Sequence, residues 1–400
     1  MANLKLELPF WEGFLVSNFE RRPGASWITL THDQAVVPVC SGCGQCCCQV
    51  HETVWRTIRD MPMLGDPVWL QVPLRRLRCP ECGPRAERVD WLERHARLTR
   101  RLVEFVGLWC EKLAVAHVCK LSGLHWETVR KIERRRLERR LAALPEARPT
   151  RLVMDEFALF KGHRYATVVL DAETRRVLWV GEGRSRDTVR PFFNWLGPER
   201  CARIEAVAMD MNTAYDLEVQ MHCPKARVVY DLFHVIAKYG REVIDRVRVD
   251  EANRHKQNLP MRRVVKRARW LLLRNRENVP VAQQPKLDEL LTANQALMTV
   301  YVMKASLKEL WHATSAWHWR KAWRTWLNMA RSSDIEPLKR FANRLANYWR
   351  GIIARVRWPM HTGQLEGINN RIKVMKRIAY GYRDSAFFFL KIKTAFPGNP

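Results

Sequence analysis

Two aspartates and two pairs of cysteines stand out in this 400-residue chain as residues whose types and spacing suit metal chemistry. Asp155 lies inside the apolar run LVMDEFAL, and Asp210 ends another, IEAVAMD. An ionised carboxylate in apolar surroundings is costly unless a cation compensates it. Two hard oxygen donors without a nearby cysteine suit Mg²⁺ or Mn²⁺, provided that the two strands are neighbours and the side chains meet. For either aspartate alone, a strand-end cap or a salt bridge is the competing reading. Cys40 and Cys43 in VCSGCGQCCCQV form one C-x-x-C, and Cys79 and Cys82 in RCPECGPR form a second. Two thiolates held two residues apart on a tight turn share one tetrahedral zinc, and a second such turn completes the shell. Gly42, Gly44 and Gly83 supply the permissive backbone of such knuckles. Cys46, Cys47 and Cys48 blur the first pair, because one of them could replace Cys43, and His51 is a further competitor.

A third acid, Glu366, stands in LEGINNRIKVMKRIAYGYR. On a helix, Glu366, Asn370, Lys373 and Arg377 fall on one polar face, and Leu365, Ile368, Ile372 and Met375 fall on the other. Such a helix packs its apolar side on a sheet and offers a carboxylate, an amide and two cations to something anionic. A solvated charged face would give the same pattern.

The elements that must position these groups follow from periodicity. TVWRTI, PVWLQV and LRRLRC, between the cysteine pairs, read as short strands separated by the Pro and Gly of MPMLGDP. From Thr99, a helix cap, apolar residues recur at helical spacing through Leu102, Val106, Trp109 and Leu113. VAHVCKLSGLHWETVRKI then follows the helix-turn-helix plan, with Ser122 and Gly123 at the turn. In that plan Thr128, Arg130 and Lys131 face a major groove. LPEARPTR, with two prolines, reads as a linker. Beyond it come three strand-like runs, LVMDEFAL, RYATVVLD and RRVLWVGEG, joined by Lys-Gly and DAET turns. A helix near Asp187, a strand ending at Asp210, a further helix and the strand RVVYD complete the order β-β-β-α-β-α-β, a mixed sheet flanked by helices. The segment after His234 is helical, and its Trp319, Trp323 and Trp326 repeat at helical spacing, as core residues do.

Composition points to the partner. Lys and Arg number 69 against 41 Asp and Glu, so the net charge is +28, and the partner expected is a polyanion. Hydrophobic residues make up 47% and are spread along the chain, enough for more than one core. The N-terminus lacks the basic-then-apolar order of a secretion signal, and no apolar run approaches a bilayer span. The expectation is a cytoplasmic protein whose cysteines serve as ligands or buried thiols rather than disulfides.

The stretch from Thr150 to Asp231, together with HTGQLEGINNRIKVMKRIAYGYRD, resembles the DDE transposases, specifically the ISL-three family of bacterial insertion sequences. MDEFALFKGHRYATVVLD, AVAMDMNTAY, VVYDLFHVI and LEGINNRIKVMKRIAYGYR carry the resemblance. It implies a multidomain α+β protein: a zinc ribbon over residues 1–90, a helix-turn-helix over 91–148, and an RNase H-like α/β/α catalytic core over 149–238 and 356–400, split by an all-α insertion over 239–355. It also implies a catalytic triad of Asp155, Asp210 and Glu366 that holds two Mg²⁺ or Mn²⁺ ions for phosphoryl transfer. Asp231 and His234, in DLFH, resemble an auxiliary D-x-x-H signature. The implied partners are the terminal inverted repeats of an element and a target duplex, gripped by the N-terminal modules and by Asn370, Lys373 and Arg377. A homodimer or larger synaptic complex, nucleoid-associated in a bacterial cytoplasm, is implied as well. Two other readings compete: a DNA-binding regulator that has lost catalysis, and a structure-specific nuclease on the same fold.

Overall fold

A computed structural model describes residues 6–7, 9–160, 162 and 164–399. Lys161, half of the Lys-Gly turn, lies outside the described residues. The chain divides into two compact units, Met1–Ala143 with Val374–Leu390, and Leu144–Lys373 with Lys391–Pro400.

The first unit opens with β1 (Leu6–Glu7), β2 (Phe14–Arg22), β3 (Ala25–His32), β4 (Val50–Met63), β5 (Asp66–Cys79) and β6 (Gly83–Ala86). They form one sheet in the order β1-β2-β3-β5-β4, with β6 paired to β5. Three short strands were expected between the cysteine pairs, and one long hairpin, β4–β5, takes their place. Pro62 does not break β4 because β4 is an edge strand and Pro62 falls where its pairing shifts, between Asp60 and Met63. Leu64 and Gly65, both at positive φ (50° and 86°), make the tip. Trp11, Leu30, Ile58 and Leu70 pack the core of this sheet.

Three helices follow: α1 (Arg100–Lys112), α2 (Val115–Ser122) and α3 (Trp126–Ala142). Thr99 caps α1 by accepting from the Leu102 N–H at 3.4 Å. Gly123, at φ 67°, ends α2 in the left-handed conformation, and His125 caps α3. Leu102, Val106, Val118, Val129 and Ile132 form the core of this trio. A buried carboxylate, Asp60 of β4, ties sheet to helices: it accepts from Trp11 Nε1 at 2.8 Å, Thr99 Oγ1 at 2.6 Å and Arg101 Nε at 2.7 Å.

In the second unit, β7 (Arg151–Phe160), β8 (Arg164–Asp171), β9 (Val177–Glu182), β10 (Ala206–Met209) and β11 (Arg227–Tyr230) form a sheet in the order β11-β10-β7-β8-β9. β7, β8 and β9 are antiparallel, and β10 runs parallel to both β7 and β11. α4 (Arg186–Leu196) and α5 (Pro198–Cys201) connect β9 to β10, and α6 (Thr213–His222) connects β10 to β11. This matches the order read from periodicity. Ser185 caps α4, and Asp187 lies in the first turn beside Arg190.

After β11 every named element is helical. α7 (Leu232–Tyr239), α8 (Asp245–Arg254), α9 (Leu259–Arg267), α10 (Arg269–Leu273), α11 (Gln284–Ala293), α12 (Gln295–Glu309), α13 (Ala316–Ser332), α14 (Glu336–Leu345) and α15 (Trp349–Ile353) lead to α16 (Gly363–Ile378) and α17 (Ser385–Ala395). Trp319, Trp323 and Trp326 of α13 are buried and stacked at 5.1 and 6.1 Å between ring centroids. The core continues from the sheet into these helices. Among the described residues no helix is long and apolar enough to cross a membrane.

Candidate functional site

Asp155 and Asp210 are brought together by strand register. β10 pairs with β7 as Ala206↔Arg151, Val207↔Leu152 and Ala208↔Val153, so two residues further along each chain Asp210 comes level with Asp155. Asp155 Oδ1 accepts from the Glu156 N–H at 2.8 Å, and its Oδ2 accepts from Asn369 Nδ2 of α16 at 2.9 Å. Asp210 Oδ1 accepts from the Met211 N–H at 2.5 Å, and Oδ2 lies 3.5 Å from His234 Nδ1. Burial pushes the Asp155 carboxyl up to about 6; the Glu156 N–H and His234 oppose this, while the charges on Asp210 and Glu156 add to it.

Glu366 lies one helical turn before Asn369, exposed and without an ion pair or side-chain hydrogen bond among the described residues. The apolar face of its helix is buried through Leu365, Ile368 and Ile372, while Asn370, Lys373 and Arg377 are exposed. Lys373 Nζ donates to Asn370 Oδ1 at 3.4 Å. The three carboxylates do not form a group with all ligand atoms within 4.8 Å of one another; among the described residues only the cysteine quartet does.

Asp231, buried at the end of β11, holds two helices at once. Its Oδ1 accepts from the Phe233 N–H at 3.4 Å, capping the helix that carries His234, and its Oδ2 accepts from the Thr362 hydroxyl. The Thr362 carbonyl in turn accepts from the Leu365 and Glu366 N–H groups at 2.8 and 3.3 Å, at the start of α16. Asn369 and Thr362 were missed in the sequence. The face through Glu366 selects Asn370 at i+4, whereas the amide that reaches Asp155 is at i+3. A threonine just ahead of a helix was the available signal for the other.

At the N-terminal cluster, the Sγ atoms of Cys40, Cys43, Cys79 and Cys82 lie within 4.8 Å of one another. Four thiolates around one zinc at about 2.3 Å require roughly that spacing. Cys43 and Cys79 Sγ are 3.5 Å apart, and the Gly42 N–H donates to Cys40 Sγ at 3.4 Å. N–H groups of Cys43 and Gly42 pull the Cys40 thiol down to about 7. Cys43, despite the Gln45 N–H, is pushed up to about 12 by burial and the neighbouring thiols. Cys47 donates to the Arg78 carbonyl at 3.3 Å, His51 pairs with Arg78 at 3.2 Å, and Cys46 and Cys48 are exposed, so none of the four joins the quartet.

A basic cleft of about 980 Å³ lies between β4–β5 and α3, lined by Thr128 and Lys131 with Arg59, Arg97, Arg135 and Arg139. Arg130 is turned elsewhere: it pairs with Asp384, stacks over Phe387 at 5.6 Å and lies over Trp126 at 5.3 Å. Arg135 and Arg139, on α3, were not singled out in the sequence because ERRRLERR has bases at nearly every phase of the helix.

Comparison with known proteins adds three family matches. A family described as transposase matches residues 152–392, a zinc-finger of transposases IS204, IS1001, IS1096 and IS1165 matches 37–82, and the helix-turn-helix domain of transposase family ISL3 matches 87–137. The transposase for insertion sequence element IS1001 of Bordetella parapertussis is 51% identical over 393 residues, 97% of each chain. The transposase for element IS1557 of Mycobacterium tuberculosis is 29% identical over 343 residues, 79% of this chain and 76% of that one.

Proposed function

Because the chain belongs to the ISL3 family of insertion-sequence transposases, we propose that it cleaves and joins DNA at the ends of its element using Asp155, Asp210 and Glu366. The observation that carries this reading is the Asn369–Asp155 hydrogen bond, which ties the helix of Glu366 to the strand of Asp155 across 214 residues. The sheet order β11-β10-β7-β8-β9, three antiparallel strands followed by two parallel ones, supports an RNase H-like core in two segments, with the helices between α7 and α16 as an insertion.

The donor set fits a hard cation: all three groups are carboxylates, two are level on adjacent strands, and the raised Asp155 carboxyl is a half-buried acid short of positive charge. Mg²⁺ or Mn²⁺ held by Asp155, Asp210 and Glu366 would polarise the attacking and leaving oxygens of the phosphodiester. Asn369 fixes the plane of the Asp155 carboxylate, and Asp231, through Thr362, fixes the start of the Glu366 helix. His234 stands beside Asp210 and orients it. Lys131 and Thr128, with Arg135, contact the terminal repeats, and Asn370, Lys373 and Arg377 hold backbone phosphates. Strand exchange between two ends calls for a dimer or larger assembly.

The test is incubation of full-length protein with Mg²⁺ and DNA carrying the element's ends, for the parent and for Asp155→Asn, Asp210→Asn and Glu366→Gln. Joined strands from the parent, and a loss of at least about a thousandfold in each variant, are expected where a triad acts as one unit. Joining by any folded variant at the parent's rate removes that residue from the triad. Cuts without joining identify a nuclease, and binding alone a regulator.

A further inference from the structure

The second unit carries a groove of about 1380 Å³ that the carboxylate site does not use. Six cations line it: Arg203 ahead of β10, Lys225 ahead of β11, Arg227 on β11, Arg320 on α13, Arg350 on α15 and Arg357 beyond it. All six are exposed, and none makes an ion pair or a side-chain hydrogen bond among the described residues. The two lining acids are already engaged. Asp216 accepts from Tyr230 Oη at 3.0 Å, and Glu205 faces Arg151 at 3.9 Å. Unpaired guanidinium groups cluster against their mutual repulsion, so the groove is built for an anion.

Its size and chemistry identify that anion. Small-molecule pockets occupy roughly 300–1,000 Å³, and this groove exceeds them, as a polymer site would. Arg357 and Arg151 both lie over the Trp358 ring, at 5.3 and 5.2 Å, and Arg350 lies over Trp349 at 5.8 Å. These rings hold guanidinium groups in place while their N–H edges remain open, an arrangement for phosphates. Trp358 carries two guanidinium groups and is half-buried, which disfavours stacking of an unpaired base on it. The groove runs along β11 to Tyr230, but three of its cations, Arg203, Lys225 and Arg227, stand at the N-terminal ends of β10 and β11, where the Arg227 N–H donates to the Glu205 carbonyl at 2.8 Å, whereas Asp210 and Asp231 follow the C-terminal ends. Four residues of strand separate the two ends by about 13 Å. A phosphate held by Arg203, Lys225 and Arg227 is therefore distinct from the scissile one.

We propose that this groove is a second duplex-DNA site that grips the sugar–phosphate backbone and reads no bases. The site extends the DNA-binding reading above and does not depend on the metal chemistry. The test uses the full-length chain without divalent metal and a short duplex of arbitrary sequence, followed by fluorescence anisotropy across a salt series. A variant combining Lys225→Ala, Arg227→Ala, Arg350→Ala and Arg357→Ala is expected to lose about tenfold or more in affinity at about 0.1 M salt. Its slope of log affinity against log salt should fall by about two to four, roughly one per phosphate contact. An unchanged thermal transition separates this from misfolding, and Lys225→Arg with Arg227→Lys, which keep the charge, should retain the slope. An unchanged slope in the fourfold variant overturns the proposal. So does a loss seen only with a single-stranded oligonucleotide or only with a polyglutamate peptide. As no cleavage is read, a failure here leaves the carboxylate reading standing, and inactive carboxylate variants leave this one standing.

Discussion

Asn369 is buried, and its amide donates across to Asp155, while its neighbour Asn370 faces outward beside Lys373. The two asparagines should therefore respond differently to substitution. Asn369→Ala removes the only side-chain donor on Asp155 among the described residues and should lower strand joining at least about tenfold, with about 1.5–3 kcal/mol of stability lost for a hydrogen bond to a charged group. Asn370→Ala should stay within about threefold of the parent and leave stability within about 0.5 kcal/mol, as for other surface changes. Equal effects on joining rates and melts would remove the distinction. Asp155 also sets a pH dependence. Its carboxyl titrates at about 6 in the fold instead of near 3.8, so between those values the folded chain keeps a proton that the unfolded chain has released. Stability from this group is present below about 4 and falls as pH rises to about 6. Above 6 the ionised form calls for a cation, so Mn²⁺ should raise the melting temperature more at pH 7.5 than at pH 5. The difference should vanish in Asp155→Asn; a shift equal at both pH values would contradict the assignment.

Among the elements, the two cysteine knuckles and the helix-turn-helix make the sharpest claims. A Cβ added at Gly42 would stand 2.8 Å from Cys82 Sγ and 3.3 Å from Cys82 Cβ. Gly42→Ala must therefore push a thiolate out of the tetrahedral shell, and zinc affinity should drop tenfold or more in a chelator competition, in line with the tight distance tolerance of such sites. Gly44→Ala meets no neighbour, but its φ of +76° makes the turn itself strained. On α3, Arg130 and Arg135 separate structure from binding. Arg135 lines the open cleft, so Arg135→Ala should lower the salt slope for end-bearing DNA by about one with little change in melting. Arg130 is held by Asp384, so Arg130→Ala should lower the melting temperature and leave the salt slope nearly intact. Mutual reversal of these outcomes would exchange their roles. The long β4–β5 hairpin explains why strand reading fell short here: Pro62 was read as a terminator, yet on an edge strand at a shifted register its missing N–H costs no ladder bond.

For the whole molecule, part of the excess of 28 positive charges is gathered in two places. One concentration lines the cleft beside α3, and another lines the groove beside β11 and α15, each within one compact unit. The sequence alone determined the types and order of the elements of the second unit's sheet, β-β-β-α-β-α-β, the two knuckles and the helix-turn-helix, because these depend on residue period, turn chemistry and spacing between near neighbours. It also carried the family motifs. Only the tertiary structure decided that β7 and β10 are adjacent with Asp155 and Asp210 level, that Asn369 and not Asn370 meets Asp155, and that Arg130 belongs to Asp384. Those pairings join residues separated by as many as 214 and 254 positions. They depend on which faces the packed core brings together, and no local period encodes that.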